Sequence, residues 1–212
     1  MQYSVFINIS LENIILSSAD SYLLIPRGDL EVHLPTALYN LLTQSDRVTS
    51  GYSIYVLNGP GSFTNLRIGC LCVNMLKELM ELQDKQISIY TLDKNSLDQK
   101  VYQRDLIPTE GAMYIGQRKN FWICDLAQDR IELRHTEGNN FPALFEGKNY
   151  RSDSNSDQTM TSDPHCIDLR SQGDTLQVGF DGKATLIPLS ELEFENVDKL
   201  VPNYILEPNI TI

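Results

Sequence analysis

Residues 57–76, LNGPGSFTNLRIGCLCVNML, carry a strand-like run into three tight-turn residues, Gly59, Pro60 and Gly61, and then into a long apolar helix. Such a junction either cradles a phosphate or serves as the hinge that sets a helix against a sheet. Pro60 holds φ near about −65°, while Gly59 and Gly61 can take positive φ or let another backbone approach. Ser62 and Thr64 both have the side chain of an N-cap, and the N-terminus of a long helix attracts anions. The phosphate signatures themselves are absent: there is no GxxxxGK[ST], and GPGSF is not GxGxxG. Close strand-to-helix packing is therefore the preferred reading, with anion binding as the alternative.

The helix predicted over 62–82 is more informative. At about 100° per residue, Arg67, Asn74, Lys77, Glu78 and Glu81 fall in one sector of about 100°. Leu66, Ile68, Leu71, Val73, Met75, Leu76, Leu79, Met80 and Leu82 spread over roughly 220°. A helix lying on one sheet needs an apolar stripe of only about 100° or slightly more. The surplus needs a cover, either the neighbouring helix 34–44 or a partner protein.

Working outward, YSVFINI (3–9), NIILSS (13–18) and SYLLIP (21–26) read as a meander of three antiparallel strands. LPTALYNLLTQ (34–44) reads as a helix with Pro35 in its first turn and Leu34, Leu38, Leu41 and Leu42 on one stripe. YSIYVLN (52–58) has the continuous apolar character of a buried central strand, and QISIYTL (86–92) is another strand. The order β-β-β-α-β-α-β predicts an α/β fold with a mixed sheet. A first lobe over 1–108 and a smaller, divergent lobe over 109–212 follow. In the second lobe, 112–127 reads as two strands or one bent one, and 130–136 as their hairpin partner. LQVGFDGKATLIPL (176–189) gives strands around an Asp-Gly turn. The polar run 151–163 reads as a loop, and VDKLVPNYILEPNITI as a short helix or turn followed by an extended tail.

The 212 residues carry 42% apolar and 21% charged residues, within the globular range, and a formal charge of −11. That charge repels nucleic-acid backbones, and the 17 Lys and Arg form no basic run, so direct, unaided binding to nucleic acid is not expected. No apolar window reaches membrane-spanning length, and MQYSVFINIS lacks the basic start of a secretion signal; a cytoplasmic protein is expected. Cys70, Cys72, Cys124 and Cys166 contain no CxxC and read as reduced packing residues. The three histidines, His33, His135 and His165, are not placed to activate Ser62, which sits in no GxSxG elbow. DPHCID (163–168) lacks the second cluster that a four-ligand metal site needs. No catalytic, cofactor-binding or metal-ligating residue is assigned. Glu191, Glu193 and Glu195 alternate as a solvated face, and Tyr204 reads as an aromatic that pins the closing segment onto the fold.

GPGSFTNLRIG (59–69) resembles the GPGSFTGxRIG signature of the TsaB (YeaZ) family. The matched positions include Gly59, Pro60, Gly61, Ser62, Phe63, Thr64, Arg67 and Gly69. INISLE (7–12) is similar to the family's opening IDTSTE, HLPTALYNLL (33–42) to its His-led helix, IGQRKNFW (115–122) to its DARRGEVY, and PNYILEP (202–208) to its PLYLRP. The resemblance implies an actin/Hsp70-like two-lobe (ASKHA) fold. It also implies a non-catalytic scaffold subunit in making threonylcarbamoyladenosine on tRNA, pairing with the catalytic subunit TsaD or with itself, and with TsaE in a larger complex. Under it, Leu66, Cys70, Val73 and Met80, with Leu38 and Leu41, are the candidates for the exposed, partner-facing part of the apolar arc. Departures matter: Asn8 stands where the family has Asp, Ile9 where it has Thr, Asn65 where it has Gly, and Gly116-Gln117 where it has Asp-Ala before Arg118. A neutral amide at position 8 removes the charge that helps an actin-like cleft hold metal and phosphates. The alternatives carried forward are an actin-like ATP-binding phosphotransferase or ATPase using Gly59–Thr64, and a glycoprotease-like peptidase.

Overall fold

The computed structural model describes residues 2–10, 13–43, 51–106, 112–115, 120–125, 130–135, 168–172, 174–180 and 183–204. Gly116, Gln117 and Arg118, loop 151–163, His165 and Cys166 lie outside the described residues.

The largest sheet contains β1 (Gln2–Asn8), β2 (Ile14–Ser17), β3 (Tyr22–Ile25), β4 (Gly51–Leu57), β5 (Ile87–Leu92) and β12 (Glu195–Val197), in the order β12-β5-β4-β1-β2-β3. β1 pairs parallel with β4 in the register Val5↔Ile54 and Ile7↔Val56, and β4 pairs parallel with β5. The meander β1-β2-β3 is antiparallel, as is β12 against β5. β4 is central, and its almost uninterrupted apolar run is buried along nearly its whole length.

Alternation divides the strand side chains between two layers. Val5, Ile7, Ile54, Val56 and Ile89 point to the face covered by α1 (Leu30–Thr43) and α2 (Phe63–Glu81). Phe6, Leu57 and Leu92 pack on the opposite side with Leu97 and Val101 of α3 (Lys94–Tyr102) and with Leu176, Val178 and Ile187 of β10 (Thr175–Phe180) and β11 (Lys183–Pro188). Full burial of such side chains contributes about 1.5–3 kcal/mol each.

β9 (Asp168–Gln172), β10 and β11 form one three-stranded antiparallel sheet; β6 (Ala112–Ile115), β7 (Asn120–Asp125) and β8 (Arg130–His135) form another. β6, β7, β8, β10 and β11 fall on the stretches read as strands, whereas β9 was not anticipated.

Four details were not in the sequence reading. From beyond the boundary expected at residue 108, residues 195–197 return to the edge of the large sheet, and Leu176, Val178, Ile187, Leu189 and Leu192 pack on its second face. Strand β12 (Glu195–Val197) was not anticipated; it lies just ahead of the closing segment, which bends at Asp198 and Lys199 and forms no helix through Tyr204. α1 begins at Leu30, after a 3-10 turn, so Pro35 lies inside it. The carbonyl left without a donor is that of Glu31, four residues back on an exposed stretch where water can serve it. α3 was not anticipated; Asp93 caps it, accepting bonds from Ser96 N–H (2.9 Å) and Ser96 Oγ (2.6 Å). No helix among the described residues is long and apolar enough to cross a membrane.

Candidate functional site

The turn after β4 is enclosed by its own chain. Gly59 has φ +72°, a conformation that an L side chain rarely adopts, and a Cβ there would run into the Asn203 carbonyl. At Gly61 a Cβ would overlap the Ser10 carbonyl, and Ser62 N–H donates to that same oxygen at 3.2 Å. Asn58 N–H donates to Leu92 O (2.9 Å) and Lys94 N–H to Gly59 O (2.7 Å), tying the turn to the end of β5 and the start of α3. Gly69, buried in the second turn of α2, lets the helix close on Ile9, whose Cγ2 would lie 2.5 Å from an added Cβ. The glycines of the signature are therefore places where another backbone or side chain approaches.

Asn8 is equally committed. Its Oδ1 accepts from Ser10 N–H (3.1 Å) and Ser10 Oγ (2.6 Å), closing a buried turn at the end of β1. The amide acts as a local cap and brings no charge to a metal or phosphate. Ser62 occupies the N-cap backbone position of α2, but its hydroxyl makes no capping bond, and Thr64 lies within the helix. No group of three or more metal-ligating side chains occurs among the described residues.

The polar sector of α2 meets residues 198–204, which run beside it as a strap. Asn74 holds Leu200 at two points: Leu200 N–H donates to Oδ1 and Nδ2 donates to Leu200 O, both at 2.8 Å. Asn58 repeats the pattern, with Nδ2 donating to Val201 O (2.7 Å) and Oδ1 accepting from Asn203 N–H (3.3 Å). Lys77 Nζ donates to Asp198 O at 2.9 Å. Tyr204 stacks on Phe63 with ring centroids 4.6 Å apart, pinning the strap as the sequence suggested.

Each expected partner-facing residue can now be placed. Leu66, Val73, Met80 and Leu38 are fully buried, and Cys70 and Leu41 nearly so, all within the core between the helices and the sheet. The expectation that they form the exposed part of the apolar arc is corrected. That part consists of Leu71 (57% exposed), Met75 (59%), Leu79 (43%) and Leu82 (84%), a row over about 80° of the helix. The surplus of apolar surface was read correctly and its phase was not. Gly69 is the signal that fixes the phase, because a helical glycine marks the face that approaches another element most closely. On α1 the exposed apolar residues are Val32 and Tyr39. Among the motif residues, Gly59, Pro60 and Gly69 are buried, Gly61, Ser62, Phe63 and Thr64 half-buried, and Arg67 exposed.

Cys70 and Cys72 are free, buried thiols. Burial pushes the Cys70 thiol up to about 12 and that of Cys72 up to about 11. Cys70 Sγ lies 3.7 Å from Asn58 Oδ1 and donates to it. These are packing residues, because a nucleophilic cysteine needs its thiolate stabilised.

No family model matches the chain, and no curated protein matches it. Among solved structures it is similar to YeaZ from Pseudomonas aeruginosa, with 21% identity and a TM-score of 0.38 over 65% of this chain and 67% of that one. It is also similar to an uncharacterized protein with similarity to peptidase YEAZ from Pseudomonas aeruginosa, at 21% identity and a TM-score of 0.40 over 65% and 66% of the two chains.

Proposed function

We propose that this chain is an accessory subunit of TsaB type, whose α2 docks onto TsaD and holds that enzyme in its active arrangement for modifying tRNA. One observation carries the reading: Leu71, Met75, Leu79 and Leu82 form an apolar row on the outside of a helix whose inner face is already filled. Such a row is costly to leave in water, and a stable pairing burying ~1,200 Å² or more in total is large enough to cover it. The GPGSFTNLRIG motif supports the same assignment. So does the succession β3-β2-β1-β4-β5, a mixed sheet of the arrangement expected for an actin-like lobe.

In this reading the chain contributes no reacting group. The signature turn sets the angle at which α2 leaves the sheet, and the inner face of α2 fixes the outer face rigidly. The partner gains a firm platform without a ligand passing through the turn. Self-pairing through the same row is the competing use of the surface.

The test is size-exclusion chromatography with light scattering on the purified chain, alone and mixed with TsaD. A one-to-one complex is expected, and Met75→Asp with Leu79→Asp is expected to abolish it while the chain stays folded. A chain that remains monomeric alone and ignores TsaD overturns the proposal.

A further inference from the structure

The strap beside α2 is held in an unusual way. Two asparagine side chains each offer a carbonyl and an amide to the main chain of residues 198–203, as the peptide groups of a neighbouring strand would. Asn74 grips both polar groups of Leu200, Asn58 grips Val201 and Asn203, and Lys77 adds Asp198 O. Every one of these bonds is to backbone, so the groove reads an extended peptide irrespective of most of its side chains. Two strap residues are seated by packing of their side chains, Leu200, 2% exposed in the main core, and Tyr204, stacked on Phe63, while the exposed Asp198 carboxylate lies 3.9 Å from Lys77 Nζ. Lys199, Val201 and Asn203 face solvent.

We propose that Asn58, Asn74 and Lys77 form a peptide-binding groove occupied in cis by residues 198–204, with a preference for Leu and Tyr four positions apart. The strap is a displaceable internal ligand. Its tie to the large sheet is the three-residue strand β12, and beyond Leu200 it rests on side-chain-to-backbone bonds, on Asn203 O against Gly59 and on the Tyr204–Phe63 stack. Displacement uncovers Gly59, against which Asn203 O packs, and frees Phe63 at the start of α2. The groove thereby links the signature turn to whichever extended segment fills it. Donor and acceptor are both present on each asparagine, so the arrangement suits a peptide main chain and not an anion.

The test uses the full chain. Leu200→Asp removes the buried anchor and empties the groove, and a fluorescein-labelled peptide of the native sequence Asp198–Tyr204 is titrated by anisotropy. Saturable binding to the variant is expected, with at least tenfold weaker binding to the unmodified chain, whose own strap competes. Adding Asn74→Leu should lower the affinity tenfold or more, as should Ala at either the Leu200 or the Tyr204 position of the peptide. Ser at the Val201 position should change it less than twofold. A folded Leu200→Asp chain that binds no peptide, or binds it equally well with Asn74→Leu, overturns the proposal. If Leu200→Asp fails to fold by circular dichroism, amide exchange on the unmodified chain decides. The Leu200 and Asn203 amides should then exchange through openings that leave Ile7 and Ile54 protected, and exchange of all four at one common rate overturns the idea.

Discussion

Leu66, Val73 and Met80 on one side of α2 and Leu71, Met75 and Leu79 on the other are the same kinds of residue on the same helix. The first three are sealed against the sheet and α1; the second three stand in water. Apolar composition alone does not distinguish them. The neighbours do: Gly69 and Ile9 make close contact on the inner side, and nothing among the described residues covers the outer row. The inner face is a matter of folding, and the outer one of association. A helix that is apolar over most of its circumference announces that two different surfaces must be satisfied, without saying which is which.

Substitutions on either face can break that contrast. The largest effect is expected for Leu66→Ala, which opens a cavity in the core and should cost about 2–5 kcal/mol in urea denaturation. A loss below ~0.5 kcal/mol would mean that the inner face is not packed as described. Gly59→Ala should follow, at about 1–3 kcal/mol for the strained backbone alone, since the Asn203 carbonyl stands in the way of the new methyl. Its readout is the same denaturation curve, with Gly28→Ala as a control because nothing lies within 4 Å of that site.

Alkaline pH probes the inner face through Cys70 and Cys72. Both thiols have raised values in the folded state, so the unfolded chain loses its thiol protons first as the pH climbs. The stabilisation from keeping them neutral is complete below about 9. It declines as pH rises from there through about 11 for Cys72 and about 12 for Cys70. The slope is on the order of 1 kcal/mol per pH unit for each thiol, and replacing both by Ala should flatten it relative to the unmodified chain. The smallest effect on stability is expected outside: Met75→Asp should shift the unfolding free energy by no more than ~0.5 kcal/mol. A large destabilisation by Met75→Asp would erase the distinction between the faces.

How much of this was legible depended on whether the signal was local. The meander, β4, α2 and β5 follow from alternation and from the glycines that bracket them. The hinge role of Gly59-Pro60-Gly61 was readable because no phosphate signature accompanied it. α3 was missed because KNSLDQKVY has few apolar residues, although Asp93 three residues before Ser96 is a capping signal. The strap and β12 were not readable, since Asn58 and Asn74 look like any polar residues until the distant main chain they hold is seen. Likewise, no local pattern told Leu66 from Leu71; that difference arises from long-range packing.

The return of β12 to the edge beside β5 has a bearing on how the molecule is made. Five strands of the large sheet are encoded before residue 93, while the sixth appears roughly a hundred residues later. A nascent chain emerging from the ribosome can assemble α1, α2 and the first five strands early, but the outer border of β5 stays bare while roughly the next hundred residues are made. Completion is therefore a late, long-range event, and the interval before it is when the young protein is most open to sticking to its neighbours.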